Sequence, residues 1–309
     1  MSRVILVGGN GFIGKYCANI LQKKGRDVII LGRTKNPNYI PTGCKYIACD
    51  YSDVCSLKKI LTKGCDIIDF AYATIPKTSF DNPVYDLISN LPASVGLFHA
   101  ALEYDVNRLV IISSGGTVYG NSVYAPINEM HPNAPISPYG LTKLTIDLYA
   151  QMFHKNFGLP VVIARPANAY GDEQRGGTGQ GFIATAIQTI IAGKEINVFG
   201  RTGSIRDYIH VEDVAAGINA IYESGINGNI YNIGTGVGTS TLDILNLIQP
   251  LAQKNGIEVK TKFLEASKFD VDINILDSSK LMNVSSWTPY IKISDGVART
   301  WYHNYSTVG

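Results

Sequence analysis

An apolar run, Val4 to Val7, passes directly into Gly8-Gly9-Asn10-Gly11-Phe12-Ile13-Gly14, and the residues that follow, Phe12 to Lys24, carry apolar side chains at helical spacing. A strand that turns through glycines into a helix leaves few options for the fold. Glycines at 8, 11 and 14 permit the tight turn, let the backbone approach a pyrophosphate, and let the helix pack closely on the strand. The helix N-terminus adds oriented N–H donors. The expectation is a dinucleotide-binding unit, with Gly8, Gly11, Phe12, Ile13 and Gly14 along the cofactor.

Short β-rich runs alternate with helical patterns through the first half. The runs are Val4 to Val7, Asp27 to Leu31, Cys44 to Ala48, Asp66 to Ala71, Arg108 to Ser113 and Pro160 to Ala164. Between them, Val54 to Leu61, Val84 to Tyr104 and Pro138 to Phe157 read as helices. This alternation predicts an α/β fold with a Rossmann-type, doubly wound parallel sheet. From about Gly171 the pattern loosens into glycine-rich loops, with helices near Gly181 to Ala192, Val211 to Glu223 and Thr241 to Asn255. The expected division is a dinucleotide-binding domain over 1–170, to which later strands and helices return, and a smaller, mainly substrate-binding lobe over 171–309. The cleft is expected at the carboxyl ends of the strands.

A net charge of +2 with no basic run argues against a nucleic-acid partner. No apolar stretch reaches the roughly 20 residues of a membrane helix, and the N-terminal run is too short for a secretory signal. A soluble, cytoplasmic protein without a membrane partner is expected. Cys17, Cys44, Cys49, Cys55 and Cys65 lack the paired spacing of a zinc site and read as thiols without a redox role.

The second strand ends Leu31-Gly32-Arg33-Thr34. NAD-preferring sites place a carboxylate there to hold the ribose 2′-hydroxyl. Gly32 offers none, and Arg33 is a cation suited to a 2′-phosphate, so NADP(H) is the preferred expectation. The alternative is that Arg33 stacks on adenine or faces solvent and that either cofactor binds, NAD(H) included. Asp50 either binds the adenine amine or caps the helix that begins near Asp53.

Tyr139-Gly140-Leu141-Thr142-Lys143 sets a phenol and an ammonium four residues apart, on one helix face. A nearby Lys⁺ is expected to lower the phenol's pKa and ready Tyr139 for proton transfer. The pair follows a strand ending Ser113-Ser114-Gly115-Gly116-Thr117-Val118-Tyr119-Gly120, which brings hydroxyls and backbone donors to the same cleft.

With Arg165-Pro166-Ala167-Asn168 and Arg206-Asp207-Tyr208-Ile209-His210-Val211, these segments resemble the extended short-chain dehydrogenase/reductase superfamily over nearly the whole chain. The likeness is to its nucleotide-sugar branch of UDP-galactose 4-epimerases and dTDP-4-keto-6-deoxysugar reductases and dehydratases. The resemblance implies Tyr139 as acid/base and Lys143 as the holder of the nicotinamide ribose. It sets Tyr51, Phe70, Ala71, Tyr72, Asn90, Ser113 and Pro166 along the cofactor, and Asn168 and Arg206 on the sugar nucleotide's pyrophosphate. It also implies a homodimer through the helices Val84 to Tyr104 and Pro138 to Phe157.

Three departures matter. The branch's usual catalytic Ser or Thr falls at Gly115; strand alternation puts Thr117 and Ser113 on that side, making Thr117 the first replacement and Ser114 the second. The Asp-Glu pair of dehydratases falls at Gly116 and Thr117, which argues against dehydration. Related epimerases carry an Arg shortly before the position of Asp270, where this chain has Lys268. The leading expectation is an NADPH-dependent 4-keto reductase of a dTDP- or UDP-linked hexose. The runner-up is an NAD-dependent UDP-hexose 4-epimerase, and a non-catalytic dinucleotide sensor is third.

Overall fold

The computed structural model describes residues 3–174, 176, 181–265 and 271–306. Its main sheet is parallel and holds β1 (Arg3–Val7), β2 (Asp27–Gly32), β3 (Lys45–Ala48), β4 (Asp66–Asp69), β5 (Arg108–Ile112), β6 (Val161–Pro166) and a late strand, β10 (Ile230–Ile233). Their order is β10-β6-β5-β4-β1-β2-β3, so the direction of winding reverses between β1 and β4. Ligand crevices of open α/β sheets form at the carboxyl ends of the strands at such a reversal.

Helices cover both faces: α1 (Phe12–Lys23), α2 (Val54–Lys58), α3 (Pro76–Asp81), α4 (Pro83–Glu103), α5 (Pro138–Phe157) and α7 (Val211–Ser224). Strand alternation divides the core. Val4 and Leu6 join Cys17 and Leu21 of α1 and Val214 and Ile218 of α7. Ile5 and Val7 join Leu97 and Phe98 of α4 and Ile146 and Phe153 of α5. Because both faces are covered, the central strands read as unbroken apolar runs. The helix α5 starts where the sequence supplies a cap: Ser137 accepts from Gly140 N and Pro138 takes the first helical position. It ends at Gly158, whose φ of 72° is left-handed.

The remaining elements are β7 (Asn168–Tyr170), α6 (Phe182–Ile191), β8 (Ile196–Phe199), β9 (Ile205–His210), β11 (Gly238–Ser240), α8 (Thr241–Lys254), β12 (Thr261–Leu264), β13 (Ile273–Asn274), α9 (Ser279–Val284) and α10 (Ile293–Ser306). β9 pairs with β7, β11 and β13, and β8 with β12. Tyr170, Ile187, Val198, Ile248 and Trp301 belong to a third apolar cluster there.

Two expected strands stop early, for identifiable reasons. β4 ends at Asp69 rather than Ala71: the Asp69 carboxylate accepts from Ala71 N at 3.0 Å, and Asn90 Oδ1 accepts from Ala73 N at 2.7 Å, so side chains replace the ladder. β5 ends at Ile112. Ser113 N and Gly115 N still bond to Ala164 O and Pro166 O, and the chain then turns through 115–117. The strand alternation used to place Thr117 therefore does not extend that far. Among the described residues no helix is long and apolar enough to cross a membrane.

Candidate active site

The glycine loop is shaped by backbone contacts that exclude side chains. Gly8 has φ +71°, and a Cβ on it would lie 2.9 Å from Ala71 N; a Cβ on Gly14 would lie 2.6 Å from Gly9 Cα. Gly11 is the N-cap of α1 and supplies no side-chain acceptor, which leaves the first N–H groups of the helix to a ligand. These features fit a dinucleotide pyrophosphate. The adjoining cleft of about 1170 Å³ is lined by Gly8 to Gly14 except Gly9, then by Phe70, Tyr72, Ser113, Ser114, Tyr139, Lys143 and Pro166. It continues to Asn168, Arg206 and Tyr208. That volume exceeds the roughly 300–1,000 Å³ of a single-ligand pocket.

Several expected cofactor residues do not line the cleft. Asn90 is fully buried; it accepts from Ala73 N and donates to Asp86 O at 2.7 Å, so it shapes the loop after β4. Ala71 packs on Gly8. The Asp50 carboxylate accepts from Ser52 N and Oγ, while Asp53 caps α2. Arg33 is exposed, near the half-buried Tyr51, and Thr34 and Tyr39 line the cleft at this end instead. Gly32 is confined: a Cβ there would sit 2.6 Å from Tyr46 Oη, which donates to Thr34 O.

Tyr139 and Lys143 lie on the buried face of α5. The rings of Tyr139 and Tyr72 meet edge to face at 4.8 Å, and Tyr139 N donates to Ser79 Oγ at 3.1 Å. Lys143 Nζ donates to Ile112 O at 2.7 Å and sits 4.1 Å over the Tyr72 ring. Burial, helped by the Asp86 charge, pushes the Tyr139 phenol well above its ordinary value. The lowering expected from Lys143 is not seen: in the protein alone, desolvation dominates the phenol. Burial also pulls Lys143 down to about 8, against the opposing charges of Asp69, Asp147 and Asp86.

Thr117 lines the cleft, and its buried Oγ1 has no hydrogen-bond partner among the described residues. A buried hydroxyl without a partner costs free energy, so it is a group poised for a ligand. Ser114 also lines the cleft. Ser113 is committed elsewhere, donating to Asp147 Oδ2 at 2.9 Å. The same oxygen receives Arg165 Nε at 2.9 Å, a buried pair linking α5 to β6 directly behind the site.

At the far end, Asn168 Nδ2 donates to Asp207 O at 3.3 Å and Arg206 donates to Ile205 O at 3.0 Å. The Asp207 carboxylate receives Thr235 N, Thr235 Oγ1 and Gly236 N; that of Asp213 receives Tyr290 N and Ile291 N. Lys268 and Asp270 lie outside the described residues. His210 caps α7 by accepting from Glu212 N, a structural role. Sequence reasoning passed over Asp69, Asp86, Asp147 and the ion pair of Lys15 with Glu173, which joins α1 to the loop after β7 at the cleft edge.

A doubly wound sheet with a glycine cradle and a buried Tyr/Lys pair in one cleft defines a nicotinamide-dependent oxidoreductase of the short-chain type. Residues 4–234 match the NAD dependent epimerase/dehydratase family, and the chain belongs to it. It is an NAD(P)-dependent nucleotide-sugar enzyme. It is 31% identical over 307 residues to a putative UDP-glucose 4-epimerase of Methanocaldococcus jannaschii, covering 97% of this chain and 98% of that one. It is 26% identical to a dTDP-4-dehydro-6-deoxyglucose reductase of Escherichia coli, with 95% of each covered. A UDP-glucose 4-epimerase of Thermotoga maritima solved with UDP-glucose superposes with a TM-score of 0.90 at 26% identity, over 99% of this chain and 100% of that one. A UDP-glucose 4-epimerase of Thermus thermophilus solved with NAD gives 0.87 at 27%, over 97% and 98%.

Proposed function

We propose that the chain is a 4-epimerase of a UDP-linked hexose, a reading the comparisons support better than the 4-keto reductase that the sequence put first. The observation that carries the chemistry is the convergence of Tyr139, Lys143 and the unpartnered Thr117 hydroxyl on the cleft that begins at the glycine cradle. The loop Gly8 to Gly14 and Lys143 hold the dinucleotide, whose nicotinamide, when bound, supplies a reversible hydride acceptor for C4 of the hexose. Tyr139 takes the proton of the C4 hydroxyl and returns it to the same oxygen. Thr117, with Ser114 beside it, donates a hydrogen bond to that oxygen where charge develops. Asn168 and Arg206, with Asp270, hold the nucleotide end. The part over 1–170 carries the dinucleotide and most of 171–309 the sugar nucleotide.

A homodimer fits this reading: Val84, Leu87 and Ile88 of α4 and Leu141 and Leu148 of α5 are exposed, and the two helices pack together. The cytoplasm suits the five cysteines, all free.

One observation favours the reductase reading. With Tyr46 against Gly32 there is no room for a ribose-binding carboxylate, and Arg33 stands beside it, an arrangement that favours NADP(H) over NAD(H). The deciding experiment denatures the purified protein, identifies the released dinucleotide, and assays two reactions. Interconversion of UDP-glucose and UDP-galactose, or of their N-acetyl forms, without net change in reduced nicotinamide is expected. Stoichiometric NADPH oxidation by a dTDP-4-keto-6-deoxyhexose, with no interconversion, overturns the epimerase in favour of the reductase.

A further inference from the structure

Lys143 is 6% exposed, and among the described residues its ammonium has one hydrogen-bond acceptor, the carbonyl of Ile112. An ammonium has three protons to place, and a buried one with a single acceptor is poorly held. Three carboxylates act on it by charge without pairing with it among the described residues: Asp69 at the end of β4, Asp86 on α4, and Asp147 on its own helix, itself paired with Arg165 of β6. Any of these could draw the flexible Lys stem away from the cleft. What occupies the space against Nζ is an aromatic face. Tyr72 lies 4.1 Å from Nζ at its ring centre, closer than the Tyr139 ring at 5.9 Å. The Tyr72 ring is itself wedged edge-on against Tyr139, and its hydroxyl lies 3.4 Å from Asp86 Oδ1, the oxygen that also receives Thr74 Oγ1.

We propose that Tyr72 is a positioning residue for the acid/base pair, its ring serving as the platform that holds the Lys143 ammonium beneath Tyr139 and off the surrounding carboxylates. A ring face attracts a cation through its quadrupole, and does so most strongly where water is excluded. The platform therefore does two things: it fixes Nζ at the cleft wall and favours its charged form. This rests on the reading of Tyr139 and Lys143 as the reacting pair. It gives Tyr72 a task independent of contact with a ligand.

The test compares Tyr72→Phe, which keeps the ring, with Tyr72→Leu and Tyr72→Met, which remove it; Met is the second variant should Leu not fold. Turnover of the nucleotide sugar that the assays above identify is measured against pH. The ring-less variants are expected to lose about tenfold or more in kcat with KM for the sugar nucleotide within about twofold. Their basic limb shifts to lower pH by about half to one unit, because a lost cation–π contact destabilises the ammonium. Tyr72→Phe stays close to the native enzyme in all three respects. A readout that needs no turnover is the ¹³C titration of protein labelled at lysine Cε, with the Lys143 resonance assigned by its loss in Lys143→Arg. The midpoint of about 8 in the native protein is retained in Tyr72→Phe and falls in Tyr72→Leu. Ring-less variants with native kcat and titration overturn the platform, as does a Tyr72→Phe variant as impaired as Tyr72→Leu, which assigns the effect to the hydroxyl. Tyr139→Phe is run alongside. If it retains turnover, the acid/base reading itself has failed; if it is dead while Tyr72→Leu is native, only the platform has.

Discussion

Leu276 occupies the space a side chain at Gly115 would need: a Cβ on Gly115 would lie 2.4 Å from Leu276 Cδ1 and 3.0 Å from Arg165 O. The glycine is thus a packing requirement, and a hydroxyl restored at 115 would point into the core, since Gly115 does not line the cleft. Gly115→Ser is expected to lower stability by about 1–3 kcal/mol, the cost of overpacking, with no gain in kcat. Thr117→Val should do the reverse. Removing an unpartnered buried hydroxyl leaves stability equal or higher, while loss of a donor to the developing charge lowers kcat about 100-fold. Thermal melts and steady-state kinetics on the two variants check both halves. Full activity in Thr117→Val would pass the role to Ser114.

Asp147 and Arg165 form an ion pair in which each side chain is 1% exposed. Burial raises the Asp147 carboxyl, and Arg165 and Ser113 oppose that rise. Asp147→Ala leaves a guanidinium buried without its partner and should cost about 3–5 kcal/mol in urea unfolding. The double change Asp147→Leu with Arg165→Met should cost less than either single change, because it removes both desolvated charges together. A double variant as unstable as the sum of the singles would argue against the pair as a unit.

The sheet and the glycine loop are legible in the sequence because buried parallel strands are continuous apolar runs and because Gly8, Gly11 and Gly14 fall at the strand-to-helix turn. The spacing of Tyr139 and Lys143 is local and could be read as one helix face. Asp147, one turn beyond Lys143, and Asp86, one turn before Asn90, continue such polar rows on buried helix faces. Extending the four-residue step would have found both. Leu276 against Gly115 and Tyr46 against Gly32 are contacts between distant or separate elements, for which no local pattern exists. Strand alternation does not account for the place of Thr117 at the cleft, because a turn at 115–117 interrupts it.

Asp69 gives a pH signature. Burial raises its folded pKa to about 6, above the unfolded value of about 3.9. A carboxyl raised in this way contributes its full stability below the unfolded pKa and loses it as pH rises through the folded one. Native stability should therefore fall between about pH 4 and pH 7 by up to about 3 kcal/mol from this group. Asp69→Asn keeps an acceptor for Ala71 N and has no charge to bury, so its stability relative to the native protein should improve from pH 4.5 to pH 7.5. Urea midpoints at the two pH values check the sign. An equal offset at both would mean that Asp69 is ionised at no extra cost.

Tyr46 sets the remaining expectation. Its hydroxyl sits 2.6 Å from where a Cβ on Gly32 would be and is held there by donating to Thr34 O. An Asp at 32 is the residue that would hold a free ribose 2′-hydroxyl and repel a 2′-phosphate. Gly32→Asp alone should lower the melting temperature and leave NADH affinity unimproved, because the phenol blocks the carboxylate. Adding Tyr46→Ala opens the space, and the double variant should shift the ratio of NADH to NADPH affinity toward NADH by about tenfold or more. Dissociation constants from quenching of tryptophan fluorescence measure both. If Gly32→Asp alone gains NADH affinity, Tyr46 is not the obstacle and the choice of dinucleotide lies with Arg33 or with Thr34 and Tyr39 at the cleft edge.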